Sequence, residues 1–243
     1  MSTRLYLSNF LLMMIIFPII GLAALFVNCK SNSLIEDQIP SVLISAEAML
    51  NKTRDVMSVK DSFEFLFTSV DGSISLPGGL ILKRAEGLVS GSDMLQLDVE
   101  AELGRIFVRI KLIAIGKRIW MTNPLTGDWA DITETDSPFS FIDPSTLISN
   151  VLDNILNPEY LNDPLTDEHI KLTGTTPPEV FAPLVGNVVG KESLTVNITI
   201  DRQNFNLIEV QIVGKLQIDD SDRSVRIIKL SRIGENILIE APN

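Results

Sequence analysis

A single cysteine, Cys29, occurs in the 243 residues, so no internal disulfide can hold this chain together. Histidine is equally scarce. His169 stands alone in the polar stretch DPLTDEHIKL, without a second histidine for a metal site or a nearby nucleophile for a triad. It reads as an ordinary loop histidine. The chain has no G-x-S-x-G elbow, no glycine-rich phosphate loop and no dinucleotide fingerprint; LPGGL is a hairpin turn. The run DDSD (219–222) lacks the spacing and closing glutamate of a calcium loop and suits a turn between strands. Positive charge is also in deficit, with 20 Lys and Arg against 31 Asp and Glu, a formal net of −11. That balance argues against nucleic acid as a partner and against broad adhesion to anionic lipid headgroups. It leaves uncharged lipid tails open as ligands. No catalytic group, metal or cofactor is expected, and any chemistry reduces to apolar binding.

What is present begins with one long apolar run. From Phe10 to Val27 there are eighteen residues without a charge, preceded by Arg4 and ending just before Cys29 in ALFVNCKSNS. A positive start, an apolar stretch and a polar boundary form the pattern of an export signal. Eighteen residues also just reach the length of a spanning helix. Residues 1–28 are thus a signal peptide or an uncleaved membrane anchor. With Arg4 kept inside, the body lies outside the cytoplasm in either case. Residues 29–39 read as a tether led by Cys29, and 40–243 as one domain large enough to bury its own core.

The domain opens with an amphipathic helix over 40–57, its start at Pro40 and Ser41 and its stripe at Leu43, Ala46, Leu50 and Met57. The period then changes to two. SFEFLFTS (62–69) sets Phe63, Phe65 and Phe67 against Glu64 and Thr68; MLQLDVEAEL (94–103) sets Leu95, Leu97 and Val99 against Gln96 and Asp98. RIFVRIKLIAIG (105–116) sets Ile106, Val108 and Ile110 against Arg109 and Lys111. Such alternation predicts antiparallel strands with one covered face. A helix follows over 141–156, with Asp143 as N-cap, Pro144 at the first turn, and Leu147, Ile148, Val151, Leu152, Ile155 and Leu156 as its stripe. A second short helix is expected over 176–187. Strands resume at 193–200, which carries Val196 and Ile198, and at 206–214, 224–231 and 236–240. The order gives an α+β fold, a single antiparallel sheet of about nine to eleven strands that curls with helices on its concave side.

The three phenylalanines and Trp129 either line a ligand cavity or form plain sheet core, and the stripe of 141–156 is either core or a lid. The inward candidates for an acyl-binding cavity are Phe63, Phe65, Phe67, Leu95, Leu97, Val99, Ile106, Val108, Ile110, Val196 and Ile198 from strands, with Leu147, Ile148, Val151 and Leu152 from the helix. A one-residue slip of register would turn every strand residue outward.

VKDSFEFLFTSVDG (59–72), RAEGLVSGSDMLQLDVEAELG (84–104), IAIGKRIWMTNPLTGDWADI (113–132) and FSFIDPSTLISNVL (139–152) occur in an ordered series that continues with LTVNITIDRQNFNLIEVQIVG (194–214) and SVRIIKLSRIGENILIEAP (224–242). Together they resemble the LppX/LprG-type bacterial lipoproteins over nearly all of 40–242. The resemblance implies a strongly curved, half-open antiparallel sheet similar to the LolA/LolB carriers, no catalytic residues, and an apolar cavity for acylated lipids or lipoglycans moved through the cell envelope. It also implies a lipid-modified cysteine, which maps onto Cys29 and would carry palmitate-type acyl chains on the outer face of the cytoplasmic membrane. Phe26, Val27 and Asn28 depart from the family's aliphatic and small residues before that cysteine. A membrane-bound monomer that handles acyl lipid is the expectation; an envelope assembly protein with a solid core is the alternative, and a secreted hydrolase a remote third.

Overall fold

In the computed structural model, described for residues 44–242 save 134 and 136, helix α1 (Ala46–Ser58) precedes a twelve-stranded sheet. Ser45, not Pro40 or Ser41, caps it: its Oγ accepts from the Ala48 N–H at 3.1 Å. Ala46, Met49, Leu50, Thr53 and Met57 form its buried stripe, while Leu43 lies outside the described residues.

Strand β1 (Ser62–Asp71) begins the sheet, and β2 (Ile74–Leu76) folds back on β3 (Leu80–Ser90). Then come β4 (Met94–Leu103), β5 (Ile106–Ile115), β6 (Arg118–Thr122) and β7 (Trp129–Asp131). Gly104 opens the turn from β4 to β5 at φ 64°, a left-handed conformation that glycine adopts without strain. Helix α2 (Pro144–Asn154) starts as expected on Asp143, whose Oδ1 accepts from the Thr146 N–H at 2.9 Å. The second half runs through β8 (Leu156–Tyr160), β9 (His169–Thr176), a 3₁₀ turn (Pro178–Phe181) and α3 (Ala182–Val185). It finishes with β10 (Leu194–Asp201), β11 (Leu207–Val213) and β12 (Val225–Ser231).

The order across the sheet is β7-β6-β5-β4-β3-β1-β12-β11-β10-β9-β8, antiparallel throughout. Two meanders therefore meet at the centre, where the first strand pairs with the last; β7 and β8 are the free edges, and the curved sheet stays unclosed. The expected α+β architecture holds, with twelve strands against about nine to eleven: β2, β3, β7, β8 and β9 come in addition to the alternating segments, and 236–240 drops out. One core joins the inner face of the sheet to all three helices. The outer face carries cross-strand charge pairs, among them Arg109 with Glu100 at 3.0 Å and Lys83 with Glu102 at 3.3 Å.

Residues 236–240 do not form the expected strand. They cross the sheet on its outer face, where the carbonyls of Glu235 and Ile237 accept from the hydroxyls of Ser62 and Ser90 at 2.7 Å each. Ile237 and Ile239 bury there against Ile113, joined by Trp120 and Trp129. Trp129 is thus part of an outer apolar cluster and faces away from the inner core.

At the β6–β7 edge, Arg118 stacks on Trp120 and its Nη2 lies 3.0 Å from Asp131 Oδ2. Hydrogen bonds from Thr133, then the Arg118 guanidinium, hold the Asp131 carboxyl down to about 2. A lowered carboxyl pKa contributes above its unfolded value and is lost as pH falls through the folded one. Amide exchange of residues 129–131 should therefore stay protected from pH 7 through pH 4 and rise only on approach to pH 2. An Asp131→Asn variant should lack that acid-range step.

Candidate functional site: an apolar cleft beneath the second helix

Phe63, Phe65 and Phe67 stand in a row on the inner face of β1, because every second residue of a strand points the same way. On the neighbouring strand, Ile228 and Leu230 continue that surface; Phe65 pairs directly with Leu230, and Phe67 with Ile228. On the other side Phe65 faces Gly87 of β3. A Cβ at Gly87 would come within 2.8 Å of the Phe65 ring and 2.5 Å of the Gln96 carbonyl oxygen, so only glycine leaves the ring its place. Leu147 and Ile148 of α2, with Pro144, roof this floor, and Pro183 and Leu184 of α3 complete the lining.

The cleft is apolar but tight, with free space of about 20 Å³. That is room for about one water, which needs roughly 10–15 Å³ of such space, and far below the roughly 300 Å³ at which small-molecule pockets begin. It continues into a crevice of about 450 Å³ between α1 and α2, which shares Phe63 and Ile148 with it and is rimmed by Arg54, Lys60, Asp61, Ser145 and Asp153. A smaller opening of about 260 Å³ on the far side of the α2 N-terminus shares Ile142 and Pro144, and reaches Val89 and Leu95.

Arg54 clasps the two helices. Its Nε lies 2.7 Å from Asp153 Oδ1, its Nη2 donates to the Leu152 carbonyl at 2.6 Å, and its Nη1 donates to Asn51 Oδ1 at 2.6 Å. A cation against the last carbonyls of α2 also suits the helix dipole. Because the pair is partly exposed, Arg54→Ala should cost only about 1–2 kcal/mol, read by denaturant unfolding. Hydrogen exchange in α2 should rise by more than that global change explains.

At the other end of the sheet, Arg226 shares the inner face of β12 with Ile228 and Leu230 and is fully buried. Its Nη2 meets both carboxylate oxygens of Asp220, at 2.6 and 2.7 Å, and the Ser73 carbonyl at 2.9 Å. Asp220 Oδ2 also accepts from the N–H groups of Leu216 and Gln217. The run 219–222 is thus a turn, as its composition suggests, but one that holds a buried ion pair.

Of the expected cavity residues, Phe63, Phe65, Phe67, Leu147 and Ile148 wall the cleft. Leu97, Val99, Val108, Ile110, Val151, Leu152, Val196 and Ile198 are buried in the surrounding core, and Leu95 is partly buried at the side opening. Ile106 is 56% exposed: it has the parity of Val108 but sits at the β4–β5 tip, beyond the core. Leu156 likewise leaves the α2 stripe for β8 and is exposed. Ile228, Leu230, Pro183 and Leu184 were not anticipated as lining. The period-two pattern of 224–231 places Ile228 and Leu230 on one face, yet only the long-range pairing of β12 with β1 brings them to the phenylalanines.

Cys29 and the apolar run lie outside the described residues; no described helix is long and apolar enough to cross a membrane. Among the described residues no cluster of His, Cys, Asp or Glu could hold a metal ion. His169 opens β9 and is half-buried on the outer face, beside a polar groove of about 770 Å³ with mixed charges such as Glu64, Arg84 and Lys229.

The sequence model of the LppX_LprAFG lipoproteins matches residues 45–239. No curated protein matches the sequence. Among solved structures, LprF from Mycobacterium bovis superposes with a TM-score of 0.61 at 18% identity, covering 81% of this chain and 96% of that one. The lipoprotein LppX from Mycobacterium tuberculosis gives 0.53 at 17% identity, over 80% and 98%. Both share the fold. A LolA superfamily protein from Nitrosomonas europaea gives 0.27 at 13% identity, over 81% and 96%, and adds nothing to that comparison. With the family match spanning the described sheet from α1 to the outer C-terminal segment, the chain belongs to the LppX_LprAFG lipoprotein family.

Proposed function

We propose that the protein is a membrane-tethered, non-enzymatic carrier that takes acyl chains of a lipid or lipoglycan beneath α2 and helps move them through the cell envelope. The observation that carries this reading is the cleft itself: a lining of aromatic and aliphatic side chains under a helix whose visible clasp to α1 is a partly exposed arginine. Loading requires α2 to lift. Each buried methylene contributes about 0.8 kcal/mol, so a long chain offsets the loss of a few helix contacts. Cys29 is the proposed lipidation site, with a monomer held on the outer face of the cytoplasmic membrane. The fifteen residue steps from Cys29 to Ile44 reach about 50 Å when extended.

Residues 41–243 contain the whole described core and serve for the test. Purified from a cell envelope background and extracted with organic solvent, they should yield an acyl lipid by mass spectrometry. Leu147→Trp, which fills the space under α2, should abolish that yield. Absence of any acyl lipid from the unaltered domain would sink the carrier reading. The second reading is an envelope assembly protein with a solid core, favoured by the free volume of only about 20 Å³; a domain that never carries lipid yet retains a wall or membrane protein partner would establish it.

A further inference from the structure

Nine large apolar residues are more than half exposed among the described residues, and six of them project from one end of the sheet. Val70 lies at the end of β1, next to the level where Asp71 pairs with Val225 of β12. Ile106 and Phe107 form the β4–β5 tip, where Leu103 pairs with both Leu80 and Ile106. Leu125 sits in the β6–β7 loop beyond Thr122, Leu156 pairs with Thr175 near the end of β9, and Ile218 tops the loop between β11 and β12. The register puts all six at the same end, opposite the end where Ser62 pairs with Ser90 and Ser90 with Met94.

We infer that this apolar rim inserts into the surface of a lipid bilayer. The residues stand on separate tips: β1 and β5 are three strand steps apart, about 14 Å, so the rim offers no flat contiguous patch of the kind a rigid protein partner needs. A fluid apolar phase accepts scattered protrusions. Exposed charges at this end lean acidic, with Asp71, Asp128, Asp219 and Asp222 against Arg105 and Arg223, so attraction to anionic headgroups does not drive the contact and apolar insertion has to. A bilayer is within reach, since the 18-residue apolar run ends only a short tether before Ile44. The crevice between α1 and α2 is bordered by Lys60, Asp61, Gly91 and Ser92, which belong to the opposite end. A domain seated on its rim therefore holds the crevice away from that bilayer.

Residues 41–243 floated with neutral phosphatidylcholine vesicles should bind, and should bind equally well in 1 M salt, where charges are screened within about 3 Å. The Phe107→Glu/Ile218→Glu pair, at two exposed sites, should weaken binding at least about tenfold, given the transfer preference of large apolar side chains. Val59→Glu, an exposed apolar site at the other end, should leave it unchanged. No vesicle binding by the unaltered domain, loss in high salt, or equal damage from Val59→Glu overturns the inference. So does a pair variant that dissolves a dimer in sedimentation while still binding vesicles, which would make the rim a protein interface. Because no acyl cargo is read, these outcomes are independent of the carrier test.

Discussion

Replacing Asp220 by alanine should destabilise the domain by about 3–5 kcal/mol, the range for stranding one partner of a buried ion pair. Arg226 is fully buried and Asp220 nearly so, and the carboxylate supplies two of the three acceptors that the guanidinium has. Removing it leaves a fully buried cation with only the Ser73 carbonyl as an acceptor, and also strips the acceptor from the Leu216 and Gln217 N–H groups. The loss is a large share of the 5–15 kcal/mol that a typical domain has in total. Urea unfolding of residues 41–243 measures it. A double change, Asp220→Leu with Arg226→Met, should recover much of the loss by removing the charge altogether. It should fall short of full recovery because the two backbone donors stay unpaired. If the single variant unfolds within 1 kcal/mol of the parent, the pair is not buried as described.

Phe67→Ala should cost a similar amount, about 3–5 kcal/mol, and would report on function as well. Phe67 lies on the central strand, almost wholly buried, paired with Ile228 on one side and Ala85 on the other. Its removal leaves a void in the floor of the cleft at a point where neither neighbour can follow it inward. An apolar void of that size stays dry and accepts apolar guests. A long-chain fatty acid should therefore raise the unfolding temperature of Phe67→Ala more than that of the parent, whose cleft must first open. Val210→Ala, on β11 and away from the cleft, should be destabilised without such rescue. Equal response of both variants to fatty acid would count against the cleft as the binding site.

How much of this could be seen in the sequence depends on the range of the interaction. Period-two alternation placed the phenylalanines of β1 and the inward residues of β4 and β5 correctly, since a strand's faces are fixed by local geometry. Asp143 and Pro144 likewise marked the start of α2, because capping involves only the first turn. Strand β3 does not show in the sequence: ILKRAEGLVS carries charges and a glycine in its middle, and Gly87 makes sense only once Phe65 lies across from it. The segment 236–240 alternates like a strand yet pairs with none, since two serine hydroxyls take its carbonyls. Ile106 failed as a core residue because parity gives direction, while depth depends on where the neighbouring strands end. Arg226 is the sharpest case. Its alternation with Ile228 pointed inward, a position an arginine occupies only when a partner such as Asp220 comes from elsewhere in the chain.

The pairing of the first strand with the last has a consequence in time. Glu64 and Ser231 sit side by side in the sheet but are 167 positions apart in the chain. At roughly 5–20 residues per second, a ribosome needs on the order of 10–30 s to make the second strand after the first. Throughout that interval the β1–β7 meander can form from local contacts, but the Phe63–Phe67 edge has no β12 beside it. Long-range closure of this kind is slow even for the finished chain. The nascent domain thus presents an unpaired, aromatic edge strand until β12 has emerged, and for that interval the edge is open to pairing with another copy.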